Sequence, residues 1–251
     1  MVNIIDALVV DLDTEAVPRE IRVGPYWTAV AVERAGELRG GLSTTMHNDA
    51  HPHVRPPVEK AGSLLGLTAE QLVGLARSSS LVEASIGMAT INALLTVDEG
   101  ACTEINAAEV IIREGAGKRV AVVGHFPFIP KVREAAKELW VLELRPQPGD
   151  LPAEASSEVI PQADVVAITG TALINGTFAE LMAQCRPDAY VIVLGGSAPL
   201  SPVLFRHGVN AVAGTKVVDV SAVMLAVSQA AIFRGLPGKR LLTMESGTGR
   251  P

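Results

Sequence analysis

His125 directly follows Val120-Ala121-Val122-Val123-Gly124, an apolar, β-branched run that ends in glycine. A buried parallel strand reads this way, and such strands hand their carboxyl-terminal loops to a ligand. An imidazole at that position can act as a general acid–base or as a direct ligand contact. Phe126-Pro127-Phe128 comes next. Glu143 lies 19 positions after Gly124, close to the ~20 that separates a dinucleotide loop from its ribose-binding acid. The loop has one glycine and two bulky rings, however, so it leaves little room for a pyrophosphate and argues against NAD. A nucleoside-bearing ligand such as S-adenosylmethionine, or a merely paired or solvated carboxylate, are the other readings of Glu143.

Two further stretches offer polar groups. Thr169-Gly170-Thr171 leads through Asn175 to Thr177, and Thr177 with Glu180 has capping-box spacing. A helix start of that kind presents free N–H groups to a carboxylate or phosphate. Gly195-Gly196-Ser197-Ala198-Pro199 is a sharply bending loop with backbone donors, or an ordinary turn. Separately, His47, Asp49, His51 and His53 alternate in a proline-rich stretch. Imidazole and carboxylate suit a transition metal such as zinc, nickel, cobalt or iron, although the spacing matches no firm metal signature.

These residues need elements to hold them. Residues 3–12 have helical apolar spacing, and two extended runs, 27–32 and 38–43, around a short glycine-containing loop predict a hairpin. Thr68 and Gln71 predict a capped helix over 68–76, and a second helix spans 81–97 with Leu81, Met88, Ile91, Leu94 and Leu95 on one face. Asn92 sits within that face. A short helix over 106–114 crosses to a second half in which strands 119–123, 139–144, 164–169, 190–194 and 209–213 alternate with helices near 130–138, 154–160, 177–185 and 201–206. A closing helix is expected over about 217–232. Alternation with continuous apolar strands predicts a parallel sheet covered on both faces. Each strand then ends in a small or polar residue, the fifth at Gly214-Thr215, so the candidate site is the edge along which those ends lie.

The chain has 251 residues and a net charge of −6. That balance argues against nonspecific nucleic-acid binding and an anionic membrane surface. No apolar run reaches the ~18 residues of a membrane span. Two cysteines are too few for a disulfide framework. The expectation is a reduced, soluble, cytoplasmic protein, with a homo-oligomer left open. No Walker loop, Cys-x-x-Cys pair or Gly-x-Ser-x-Gly elbow is present.

Four stretches occur in an order and spacing that resemble a known family: Ile86-Gly87-Met88-Ala89-Thr90-Ile91-Asn92-Ala93-Leu94, Val123 to Pro127, Thr169 to Thr177, and Leu194 to Leu200. The chain is similar over nearly its whole length to the prokaryotic family labelled "putative heavy-metal chelation". The resemblance implies an α+β, enolase N-terminal-like domain, residues 1–105, joined to an α/β Rossmann-like parallel-sheet domain, residues 106–251, with a small-ligand site between them. The matching positions are Asn92, Gly124, Phe126, Pro127, Thr169, Asn175, Thr177, Gly195, Ser197 and Pro199. His125 stands where a tyrosine is common, so a role that needs a phenol does not carry over. Gly196 stands where the proline of a Gly-Pro-Ser turn is expected.

The leading expectation is a protein that binds a small molecule or metal complex, with Asn92, Gly124, His125, Phe126, Pro127, Glu143, Thr169, Thr171, Asn175, Thr177, Gly195, Ser197 and Pro199 around an interdomain cleft. The alternative is an enzyme acting on a small anionic metabolite, with His125 as acid–base. A third is a metal carrier using His47, Asp49, His51 and His53.

Overall fold

The computed structural model describes residues 3–48 and 56–247. Helix α1 (Ile4–Val9) starts at Asn3, whose side chain accepts the Ile5 N–H, and it stops three residues short of the expected end. Strands β1 (Val17–Val23), β2 (Trp27–Arg34) and β3 (Glu37–Thr44) form an antiparallel sheet in that order. The predicted hairpin is β2–β3. The sequence reading missed β1, whose alternation is interrupted by Pro18 and by a register shift between Pro18 and Glu20.

Helix α2 (Ala69–Gly74) carries the expected Thr68–Gln71 capping box. Helix α3 (Leu81–Leu94) ends before Leu95 rather than at 97. Its burial is not a single stripe. It packs against β2 and β3, against α2, and against the later helix Thr171–Ile174, so nearly its whole circumference is buried. A helix enclosed in this way is apolar all round.

Among the described residues, the second sheet has eight strands. They are β4 (Cys102–Thr103), β5 (Arg119–Val123), β6 (Glu138–Glu143), β7 (Leu151–Pro152), β8 (Val165–Thr169), β9 (Tyr190–Leu194), β10 (Ala211–Val217) and β11 (Lys239–Glu245). The spatial order is β4-β11-β10-β9-β8-β5-β6-β7. From β10 to β7 the neighbours are parallel, while β11 lies antiparallel to both β10 and β4. Helices α4 (Ala107–Gly115), α5 (Ile129–Ala135), α6 (Ser156–Val159), α7 (Thr171–Ile174), α8 (Phe178–Gln184) and α9 (Val220–Ser228) fill the connections, and the predicted 201–206 helix is a 3-10 segment, Pro202–His207. The closing helix is shorter than expected at both ends.

Two corrections bear on the site. Gly214 and Thr215 lie inside β10, not at its end, because β11 pairs with the strand as far as Val217. The fifth strand end therefore leaves the candidate edge. Second, the chain winds outward from β5 through β6 to β7, then returns to lay β8 on the other side of β5. The β5–β8 boundary is thus the point where strand order reverses, and an open parallel sheet leaves a crevice there. Its floor is fully buried: Val120, Ala121, Val122, Val166, Ala167 and Ile168 have no exposure.

Candidate functional site

At that reversal point the carboxyl ends of β5, β6 and β8 open into a cavity of about 660 Å³. Gly124 begins its wall with φ +101°, a left-handed conformation that a side chain strains. A Cβ there would also stand 3.1 Å from the Phe126 ring and 3.2 Å from Thr169. The glycine therefore serves both the turn and the contact between β5 and β8. Phe126 stacks on Phe128, with centroids 5.1 Å apart and planes 9° from parallel, which makes the loop a rigid wall.

Glu143, at the end of β6, fastens the same loop. Its carboxylate accepts the His125 N–H at 2.8 Å and the Leu144 N–H at 2.9 Å. Its partners are both backbone groups of the loop. Nothing in the geometry requires a ribose to explain it. The His125 ring meets a carboxylate that the sequence reading missed. Nδ1 lies 2.9 and 3.1 Å from the two oxygens of Asp150, a side chain only 2% exposed. Asp150 also accepts the Gln147 N–H at 3.0 Å, and it immediately precedes β7, which pairs with the end of β6. The only sequence signal was the turn composition of Pro148-Gly149 before it, since a two-residue strand leaves no periodicity.

Across the cavity, Thr169 and Thr171 share a hydroxyl hydrogen bond of 3.0 Å. The expected capping box is absent. The Thr177 hydroxyl donates to Asn175 Oδ1 at 2.8 Å instead of capping α8. At φ −81°, ψ −10° Thr177 is already helical, and an N-cap oxygen needs an extended backbone to reach forward. Glu180, freed from that role, joins Glu154, Ser156 and Ser157 in the cavity wall.

Gly124, His125, Phe126, Glu143, Thr169, Thr171, Asn175 and Thr177 thus converge on one space. Asn92, Pro127, Gly195, Ser197 and Pro199 are not in its wall. Pro127 is exposed. Asn92 Nδ2 donates to the carbonyls of Leu42 (2.9 Å) and Ser197 (3.3 Å), and Ser197 bonds to Thr44. Asn92 and Ser197 clasp the antiparallel sheet to the second half, and the described wall of the cavity beside Gly124 comes from residues 123–181. Gly196 answers for the departure in its loop: a Cβ there would lie 2.6 Å from the Trp27 ring. His47 is exposed, and Asp49, His51 and His53 lie outside the described residues. Among the described residues, no group of three or more His, Cys, Asp and Glu side chains could hold an ion.

A larger cavity, about 880 Å³, does lie between the halves. Several of its polar side chains are engaged: Arg77 with Asp6, Arg186 with Asp164 and Asp188, and Asn48 with Ser79 and Leu81. It shares Ala172 and Asn175 with the cavity beside Gly124.

Residues 106–244 match the DUF364 family, described as "putative heavy-metal chelation". The chain belongs to the DUF364 family. Residues 8–95 match the DUF4213 family, which carries the same description. The chain is similar to an uncharacterized protein of Methanocaldococcus jannaschii, with 26% identity over 231 residues, 88% of this chain and 87% of that one. It is also similar to the crystal structure of a DUF364 protein of unknown function from Desulfitobacterium hafniense, with 27% identity, a TM-score of 0.79 and 97% of each chain covered. A second DUF364 crystal structure, from Pyrococcus horikoshii, shares the fold at 19% identity and a TM-score of 0.80, over 97% of this chain and 99% of that one. Among the described residues, no helix is long and apolar enough to cross a membrane.

Proposed function

We propose that this DUF364 protein binds a small cationic ligand, either a preformed metal complex or an organic cation, in the cavity beside Gly124. The observation that carries the reading is the charge of the wall. Glu143, Glu154 and Glu180 line it together with His125, and none of the described wall residues is lysine or arginine. An acid-lined cleft raises the local concentration of cations and repels anions. A bare ion held by protein donors alone does not fit the described residues, which offer no converging set of three ligands. A metal that arrives already chelated needs only one or two protein contacts. The family description is compatible with that cargo.

The same reading takes residues 1–105 as an enolase N-terminal-like unit and residues 106–251 as a Rossmann-like unit. The small antiparallel sheet under α3 and the reversal of strand order at β5–β8 support it. It is a cytoplasmic binding protein in this reading. The alternative, an enzyme acting on an anionic metabolite, is favoured by the His125–Asp150 pair, which suits acid–base chemistry. The lack of a cation in the described wall weighs against an anionic substrate.

Two probes of equal length and opposite charge separate the readings. Propane-1,3-diamine is expected to shift the NMR signals of Phe126 and His125, and malonate to leave them in place. Malonate shifting them alone would sink the cationic reading and favour the enzyme. Native mass spectrometry and elemental analysis of untagged protein from its own cells would then identify the cargo.

A further inference from the structure

We infer that Asp150 is a positioning residue that fixes the tautomer of His125, so that Nε2 faces the ligand as an acceptor. The inference rests on the cavity beside Gly124 being the binding site. A neutral imidazole carries one proton, and in water it prefers Nε2 for it. A carboxylate accepts only, so a carboxylate against Nδ1 holds the proton on Nδ1 and leaves the lone pair on Nε2. Both Asp150 oxygens lie within 3.1 Å of Nδ1, and the carboxylate is 2% exposed, so water does not compete for it.

The arrangement is fixed from both sides. The His125 backbone is held by Glu143 through its N–H. Asp150 is held by the Gln147 N–H, and its own N–H donates back to the Gln147 carbonyl at 2.9 Å. The ring therefore has one anchored nitrogen and one nitrogen left for a ligand. A second-sphere carboxylate of this kind orients an imidazole toward a donor or a Lewis-acid centre. The ligand class follows: the group facing His125 offers an N–H, an O–H or an open metal position, and a carboxylate acceptor is rejected. That selection acts in the same direction as the acidic wall but has a different origin.

The test is the long-range ¹H–¹⁵N spectrum of the full-length labelled chain, which reads the protonated nitrogen of each neutral histidine. The expected result is a proton on Nδ1 of His125, with His207 as a reference for an imidazole outside the pair. Asp150 Oδ2 takes the Gln147 N–H and also lies 2.9 Å from Nδ1, so an asparagine would keep an acceptor there; Asp150→Ala removes both oxygens. The tautomer should then revert to the Nε2–H that imidazole prefers in water. The shift of His125 Nε2 caused by propane-1,3-diamine should disappear in that variant, whether or not the Phe126 shift persists. A native His125 with its proton on Nε2, or a D150A spectrum that keeps it on Nδ1, would overturn the inference. Should D150A fail to fold, the native tautomer alone still decides. If the diamine fails to shift Phe126 in the native protein, the cationic reading of the site falls while the tautomer result stands on its own.

Discussion

Ser197 and Thr44 hold each other twice. The Thr44 N–H donates to Ser197 Oγ at 2.8 Å, and Ser197 Oγ donates to Thr44 Oγ1 at 3.0 Å. One residue ends β3 and the other sits in the loop after β9, so this pair joins the two sheets directly. Asn92 of α3 adds a third strand to the clasp through the Ser197 carbonyl. Ser197 is 2% exposed, so Ser197→Ala leaves the half-buried Thr44 N–H without its acceptor. The expected cost is about 1–3 kcal/mol, read from urea denaturation, with the signals of Phe126 unchanged because Ser197 is outside that cavity.

Gly124→Ala should destabilise more than Gly36→Ala. Both glycines have positive φ, +101° and +80°, so each substitution incurs a left-handed penalty of about 1–2 kcal/mol. Only at Gly124 does the new methyl meet neighbours, Phe126 and Thr169, whereas nothing lies within 4 Å at Gly36. The difference between the two melts therefore isolates the contact. Equal losses would mean that Phe126 gives way freely and that the wall is not rigid.

Strands β5 and β9 occupy the expected 119–123 and 190–194, because a strand buried on both faces carries a nearly uninterrupted apolar signal. Thr68 and Gln71 announced their helix because a capping box is local chemistry. Thr177 and Glu180 have the same spacing and form no box, since the Asn175–Thr177 hydrogen bond commits the backbone differently. Spacing cannot report that competition. Asp150 was unreadable because its importance lies 25 positions away, at His125. Asn92 was legible as a buried polar residue but not as a clasp, since its partners lie 50 and 105 positions distant.

Asp164 should make stability fall in acid. It accepts the Arg119 N–H at 2.9 Å and meets the Arg119 and Arg186 guanidinium groups. The Arg119 N–H, then its guanidinium, hold the carboxyl below its ordinary value. A carboxyl depressed on folding contributes stability that is fully present above its unfolded value, about 3.9, and that is lost as pH falls through the folded one. The groups are partly exposed, so the contribution is up to about 1 kcal/mol. Urea midpoints of the native chain and Asp164→Asn should differ at pH 7, and the gap should close as pH falls from the unfolded value through the lower folded one. A gap that persists in acid would assign the effect to shape rather than charge.

Glu180→Ala separates helix capping from cavity charge. Were Glu180 half of a capping box, its loss would cost about 0.5–2 kcal/mol. The structure gives it no such bond: Thr177 makes no side-chain cap, and Glu180 is exposed and faces the cavity. Only its interaction with the helix dipole is lost, about 0.3–1 kcal/mol, and alanine's higher helix propensity offsets part of that. Stability should stay within about 0.5 kcal/mol of native. The shift of Phe126 caused by propane-1,3-diamine should need more diamine to saturate, because one of the three wall carboxylates has gone. Thr177→Val should do the opposite, since it frees Asn175 Oδ1 from its hydroxyl partner and disturbs the turn. The loss expected is about 1 kcal/mol, with the wall charge intact. A Glu180→Ala protein that melts early yet binds the diamine as before would return Glu180 to the helix and remove it from the site.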